Sequence, residues 1–158
     1  MDRPTVVVCV DGFDPEYLQV CETPVLRDLG ARGFFRIGRA MMPSVTNVNN
    51  VSLVTGRYPA DHGICSNYLY VRDSGQEMYV ESGRYILAQT MFQRAAAQGK
   101  TSVLVTSKDK LRTLLAEGAT VAVSAEQPTD WVVRGVGEPP GVYTLEVNAW
   151  VIRAASYV

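Results

Sequence analysis

The chain opens on a β-branched run, Thr5 to Val10 (TVVVCV), with no polar position to interrupt its apolar stretch. A run without alternation predicts a strand buried on both faces, as central parallel strands are. Asp11-Gly12 closes it, and Asp14 before Pro15 is placed to cap a helix. Thr23-Pro24 repeats that pattern and predicts a short helix to about Leu29, stopped by Gly30 and Gly33. Phe34 to Ala40 reads as a second strand. In the stretch PSVTNVNNVSLVTG that follows, residues 43 to 56, a Pro-Ser loop delivers Thr46 to the start of a helix. That helix is expected over Asn47 to Thr55, with Gly56 as its stop and Val48, Val51 and Leu53 anchoring it.

Between Asn67 and Val80 two short runs flank Asp73-Ser74-Gly75, a hairpin signal. Thr90 is placed to cap a helix running to Gln98, and Thr101 to Thr106 reads as a buried strand. Ser107 is the expected cap of a helix from Asp109 to Glu117, with Gly118 behind it and another strand from Thr120 to Ser124. Gln127 to Gly141, rich in proline and glycine, reads as loop. Thr144 to Tyr157 reads as a terminal helix carrying Leu145, Trp150, Val151 and Ala154. The alternation predicts an α/β fold, a mostly parallel sheet flanked by helices, as one domain over 1–158 with a hairpin excursion at about 66–80.

Composition narrows the function classes. The chain has 158 residues, 47% apolar and 20% charged, enough for one domain with a core. A net charge of -1 gives no electrostatic case for nucleic acid or an anionic membrane. No apolar run reaches membrane-spanning length, and MDRP leads directly into the first run without a signal-peptide pattern. Cys9, Cys21 and Cys65 match no zinc or redox spacing and read as reduced, partly buried thiols of a cytoplasmic protein.

Candidate chemistry gathers where strands end, which is where open α/β sheets form sites. Asp11 directly follows the first expected strand. A carboxylate there is costly unless solvated, paired or metal-bound; Asp11 either caps the next helix or serves as a ligand, and Asp14 before Pro15, placed for the cap, shifts the balance toward ligand. Thr46 stands at a helix N-terminus, where free N–H groups favour anions. It is either an ordinary cap or a nucleophile whose alkoxide a metal stabilises, because no His or Lys lies near it in sequence. Lys108 and Lys110, in SKDK, are either solvated surface lysines or a clamp on a small anion.

The segments VVVCVDGFDPEYL, MPSVTNVNNVSLVTGRYPADHGICSNYLY and VTSKDKLRTLL, in that order, resemble the alkaline phosphatase superfamily. Within it, TNVNNVSLVTG, GICSNYLY and SKDKLRTLLAEG are similar to the phosphonoacetate hydrolases. That resemblance implies zinc-dependent cleavage of the carbon–phosphorus bond of phosphonoacetate, giving acetate and phosphate. It implies Thr46 as nucleophile and Asp11 and Thr46 as ligands of one zinc. Asn67 would hold a phosphonyl oxygen, and Lys108 and Lys110 the anionic groups of the substrate. His62, the single histidine, reads as a structural turn residue.

Members of that family are much longer, and their remaining zinc ligands have no counterpart in this sequence. The expectation is therefore an N-terminal portion carrying half a site, inactive alone. Such a chain would self-associate or need a complementing C-terminal fragment to cover its exposed sheet edge. Two other readings stand beside it. One is a nucleotide pyrophosphatase/phosphodiesterase of the same superfamily, with Tyr68 and Tyr70 as a base slot. The other is a non-catalytic module binding a small anion or a partner protein. A dinucleotide-binding fold is disfavoured, because DGFDPE and no glycine fingerprint follows the first run.

Overall fold

The computed structural model describes residues 4–158, which divide into two compact units at Ala40/Met41. The first holds two helices, α1 (Tyr17–Val20) and α2 (Pro24–Arg32). Asp14 does not cap α1, whose N-cap residue is Glu16; its Oδ1 instead accepts from the Glu16 N–H at 2.8 Å in the turn before the helix. Thr23 does not cap: its side chain makes no cap bond, and its buried Oγ1 has no hydrogen-bond partner. Helix α2 continues through Gly30, where the sequence suggested a stop. An Asp28–Arg32 pair at 2.6 Å spans that glycine one turn apart. Arg27 then reaches back to the Leu18 and Cys21 carbonyls, at 2.6 and 3.3 Å, and fastens α2 to the end of α1.

The two strands expected in this unit are absent among the described residues. Residues 5–10 and 34–40 carry no ladder. Val6, Val8, Phe34 and Ile37 are all more than two-thirds exposed. An uninterrupted apolar run specifies a buried strand only when a neighbour completes its hydrogen bonds. Neither described sheet pairs with these segments. The three cysteines are exposed and free, which corrects the expectation of partly buried thiols.

The second unit contains α3 (Thr46–Thr55), α4 (Pro59–His62), β1 (Tyr68–Val71) and β2 (Gln76–Tyr79). After a 3-10 turn at Gly83–Tyr85 come α5 (Met91–Ala97), β3 (Val103–Thr106) and α6 (Asp109–Leu115). The chain finishes with β4 (Val121–Ser124), α7 (Asp130–Val136) and α8 (Glu146–Tyr157). Strands β1 and β2 form the expected antiparallel hairpin, with Tyr68 opposite Tyr79. Strands β3 and β4 run parallel, Val103 opposite Val121 through Thr106 opposite Ser124, with α6 as the crossover. The chain is thus α/β, with a small parallel sheet, flanking helices and a separate hairpin.

The pleat of β3 and β4 sorts the core into two clusters. Leu104 packs with Val48, Val51, Val54, Ile64, Val80, Phe92, Leu114 and Leu115. Its neighbours Val105, Val121 and Val123 point the other way, to Val132, Val147, Trp150 and Ala154. The Trp150 indole N–H is satisfied by the Gly137 carbonyl at 2.8 Å. Three local expectations are corrected here. Val54, not the exposed Leu53, anchors α3; Leu145 is exposed at the mouth of α8; and Lys108, not Ser107, is the N-cap residue of α6. Helix α7 lies inside the stretch read as loop. Glycine and proline on both sides masked DWVVR, whose Val132 is fully buried in the second cluster.

Thr90 and Gln93 form a complete capping box on α5. The turn after α6 seats on that box, with Thr90 Oγ1 donating to the Glu117 carbonyl at 3.3 Å and Gln93 Nε2 to Glu117 Oε1 at 3.0 Å. Gly118 follows with φ +87, and a Cβ there would lie 2.5 Å from the Gln93 backbone. Both conformation and space demand glycine. Gly118→Ala is expected to lower unfolding free energy by roughly 2–4 kcal/mol in urea titrations. A loss under about 0.5 kcal/mol would show that the turn does not seat on α5 this way.

Candidate functional site

The first residue of α3 is Thr46, half-buried, behind an N-cap residue, Val45, that has no side-chain oxygen to offer. The asparagines that follow are not loop filler. Asn49 Oδ1 accepts from the Met41 N–H at 2.9 Å while its Nδ2 donates to the Val45 carbonyl at 3.2 Å, so it pins the segment leading into the helix. Asn50 Nδ2 donates to the Thr46 carbonyl at 2.9 Å. Asn47, 2% exposed, sends its Nδ2 to the Val80 carbonyl at 2.7 Å. The three amides together fix where Thr46 sits.

Asn67 comes to the same helix end. Its Oδ1 accepts from the Asn47 N–H at 3.0 Å, and its carbonyl accepts from the Val80 N–H at 2.8 Å. The fold therefore brings Thr46 and Asn67 together across twenty residues of chain. Asp11 belongs to the first unit. It sits with Gly12, φ +77, in a turn closed by the Phe13 N–H on the Val10 carbonyl at 3.4 Å.

Lys108 and Lys110 follow β3, as expected. The Thr106 hydroxyl donates to the Lys108 carbonyl at 2.9 Å and shapes the strand exit. Each ammonium lies over a tyrosine: Lys108 is 5.3 Å from the Tyr143 ring centre and Lys110 is 4.6 Å from that of Tyr79. Lys110 also meets Glu81 at 4.0 Å. An open depression of about 770 Å³ is lined in part by Lys110, Glu81, Asp109 and Glu126. The Arg112 guanidinium, 2.6 Å from Asp109, and the Ser124 hydroxyl hold the Asp109 carboxyl below the usual carboxylate range. Tyr79, Glu81 and Tyr143 carried no sequence signal, because each reaches its lysine from a distant part of the chain.

His62 is fully buried. Its Nδ1 accepts from the Ile64 N–H at 3.1 Å, which places the ring proton on Nε2, 2.8 Å from Ser52 Oγ. The imidazole thus donates to Ser52 and is no base for it. This is the structural role expected from PADHGI. Tyr68 and Tyr70 are more than half exposed on the hairpin, and Tyr68 lies edge-on to Tyr79 at 5.2 Å.

The described residues contain no group of three or more His, Cys, Asp or Glu placed to hold a metal. Asp11 and Thr46 are two ligand side chains, whereas zinc takes about three or four protein ligands. These residues alone do not fit a zinc centre.

The family described as type I phosphodiesterase/nucleotide pyrophosphatase matches residues 5–149. The chain belongs to this family. The family lies within the alkaline phosphatase superfamily. Phosphonoacetate hydrolase from Sinorhizobium meliloti 1021, solved with phosphonoacetate, superposes with a TM-score of 0.83 and 34% identity, over 93% of this chain and 40% of that one. Venom phosphodiesterase of Naja atra is 28% identical over 156 residues, 94% of this chain and 18% of the relative. Family member 3 of the ectonucleotide pyrophosphatase/phosphodiesterases of Mus musculus is 40% identical over 70 residues, 42% of this chain and 8% of the relative. The chain thus spans less than half the length of each of these. No helix among the described residues is long and apolar enough to cross a membrane.

Burial holds the His62 imidazole below its ordinary pKa. The unfolded chain takes up the proton more readily, so stability is full above about pH 6.5 and falls as pH drops below it. Urea midpoints between pH 8 and 5 are expected to decline over that window, and His62→Gln, which does not titrate, to flatten that part of the curve. An identical decline in the variant would assign the dependence to other groups.

Proposed function

We propose that this family member carries the nucleophile half of a phosphonoacetate hydrolase. The observation that supports this most directly is the likeness, over nearly the whole chain, to an enzyme solved with phosphonoacetate bound. In this reading Thr46 attacks phosphorus from the N-terminus of α3, where helix dipole and main-chain N–H groups favour the oxyanion. Asn67 donates to an equatorial phosphonyl oxygen. Lys108 and Lys110 bind the anionic groups of the substrate. Lys110 exchanges its long, solvated contact with Glu81 for a substrate oxygen, at little cost for an exposed pair. A cation at the carboxylate spreads the charge of the departing acetate carbanion into an enolate-like form, which a simple phosphate ester would not require. Asp11 and Thr46 are the residues of this chain assigned to the family's zinc. They supply too few ligands for a zinc centre, and we propose that this chain alone retains little zinc and turns over slowly or not at all. Self-association, or a complementing fragment, is part of the same reading.

A second reading is a nucleotide phosphodiesterase, favoured by the names of the curated relatives. Binding separates the two. Phosphonoacetate is expected to bind more tightly than acetate and than a nitrophenyl nucleotide ester, and Lys108→Ala and Lys110→Ala each to weaken it roughly three- to tenfold. Preference for the nucleotide ester would reverse the assignment. Phosphate release from phosphonoacetate with added zinc is expected to be near background. Brisk release, abolished in Thr46→Ala, would confirm the nucleophile and refute the inactivity of the isolated chain.

A further inference from the structure

Asn47 carries no catalytic motif of its own, yet it lies at the crossing of three hydrogen bonds behind the proposed site. Its Nδ2 donates to the Val80 carbonyl at 2.7 Å, and its main-chain N–H donates to Asn67 Oδ1 at 3.0 Å. The Val80 N–H closes the ring on the Asn67 carbonyl at 2.8 Å. The sense of each bond follows from chemistry, since a main-chain N–H only donates and a carbonyl only accepts. The oxygen of the Asn67 amide is therefore turned to α3, and its NH₂ is turned away from Asn47. An asparagine is otherwise ambivalent: with its oxygen forward it repels an anion, and with its nitrogen forward it binds one.

The cost of releasing the ring also falls on Asn47. Its amide is buried, so a truncated side chain leaves the Val80 carbonyl without that donor and frees the start of α3 to shift against the hairpin. The main-chain N–H that orients Asn67 would move with it.

Resting on the functional reading above, we propose that Asn47 is a positioning residue: it touches no substrate but holds the Asn67 amide with its nitrogen toward the phosphonyl oxygen. The other two amides of the segment take no part in this ring: Asn49 works on the incoming loop and Asn50 donates to the Thr46 carbonyl.

The test is nuclear magnetic resonance of the uniformly ¹⁵N-labelled chain, with the Asn67 side-chain NH₂ pair identified by its loss in Asn67→Asp. In the unsubstituted chain the pair is expected to be well dispersed and to shift saturably with phosphonoacetate. In Asn47→Ala, folded by circular dichroism, the pair is expected to move toward free-amide positions. Affinity for phosphonoacetate is expected to fall about tenfold, while that for acetate, which lacks the phosphonyl group, stays the same. Unchanged Asn67 signals and unchanged affinity in Asn47→Ala would overturn the positioning role. Signals in the unsubstituted chain that ignore phosphonoacetate would overturn the functional reading and the ligand half of the proposal together. If Asn47→Ala does not fold, Asn67→Asp and Asn67→Leu decide. Aspartate keeps an acceptor for the Asn47 N–H, so Asn67→Asp is expected to retain thermal stability and lose phosphonoacetate binding, and Asn67→Leu to lose both. Equal destabilisation by the two would overturn the proposal.

Discussion

The buried amide of Asn47 bonded to the Val80 carbonyl is the constraint on which the arrangement of the second unit turns. It joins the start of α3 to the base of the β1–β2 hairpin, thirty-three residues away. A polar group so fully withdrawn from water is tolerated only with partners, and the partners chosen here decide geometry as well as satisfying the group. Apolar packing presses α3 toward the sheet through Val48, Val51 and Val54, but packing alone permits a helix to slide or rotate. The amide removes that freedom at the end where Thr46 stands.

A similar economy governs the start of α6. Asp109 accepts from Arg112 and Ser124, while its own N–H donates to Glu126. The end of β4 and the start of α6 are thus locked by polar bonds, and the lysines on either side of Asp109 project from a fixed turn. Their ammonium groups rest on the faces of tyrosines and not in deep ion pairs. Such contacts at exposed sites are worth only about 0.5–1 kcal/mol, so they orient without immobilising.

What the sequence made legible follows from the range over which each signal acts. Local chemistry was readable: the Thr90 cap, the hairpin around Gly75, the β3, α6 and β4 segments and the delivery of Thr46 to a helix start all depend on residues a few positions apart. Non-local facts were not. Thr5 to Val10 has the composition of a central strand, but composition says nothing of who pairs with it, and here those side chains are exposed. Helix α7 was hidden because flanking glycines and prolines outweighed a seven-residue signal. The Asn67–Asn47 bond and the tyrosines beneath the lysines join positions that only the folded chain makes neighbours. The TNVNN segment stood out as unusual, yet its amides serve the backbone around Thr46 more than any ligand.

The division of the core by the pleat of the parallel sheet has a further meaning for how the second unit holds together in time. Every member of the cluster around Trp150 comes from residues 105 to 158, a contiguous stretch, whereas the cluster around Val48 draws on α3, the hairpin base, α5 and α6. Contacts within a contiguous stretch close short loops and cost less chain entropy to form. The C-terminal cluster is thus a natural cooperative unit, able to stay shut while the other cluster, which holds the helix that bears Thr46, opens and recloses. In that picture the placement of the proposed nucleophile hangs on the cluster that costs more to assemble, and residues 105 to 158 hold their fold whether or not Thr46 is in position.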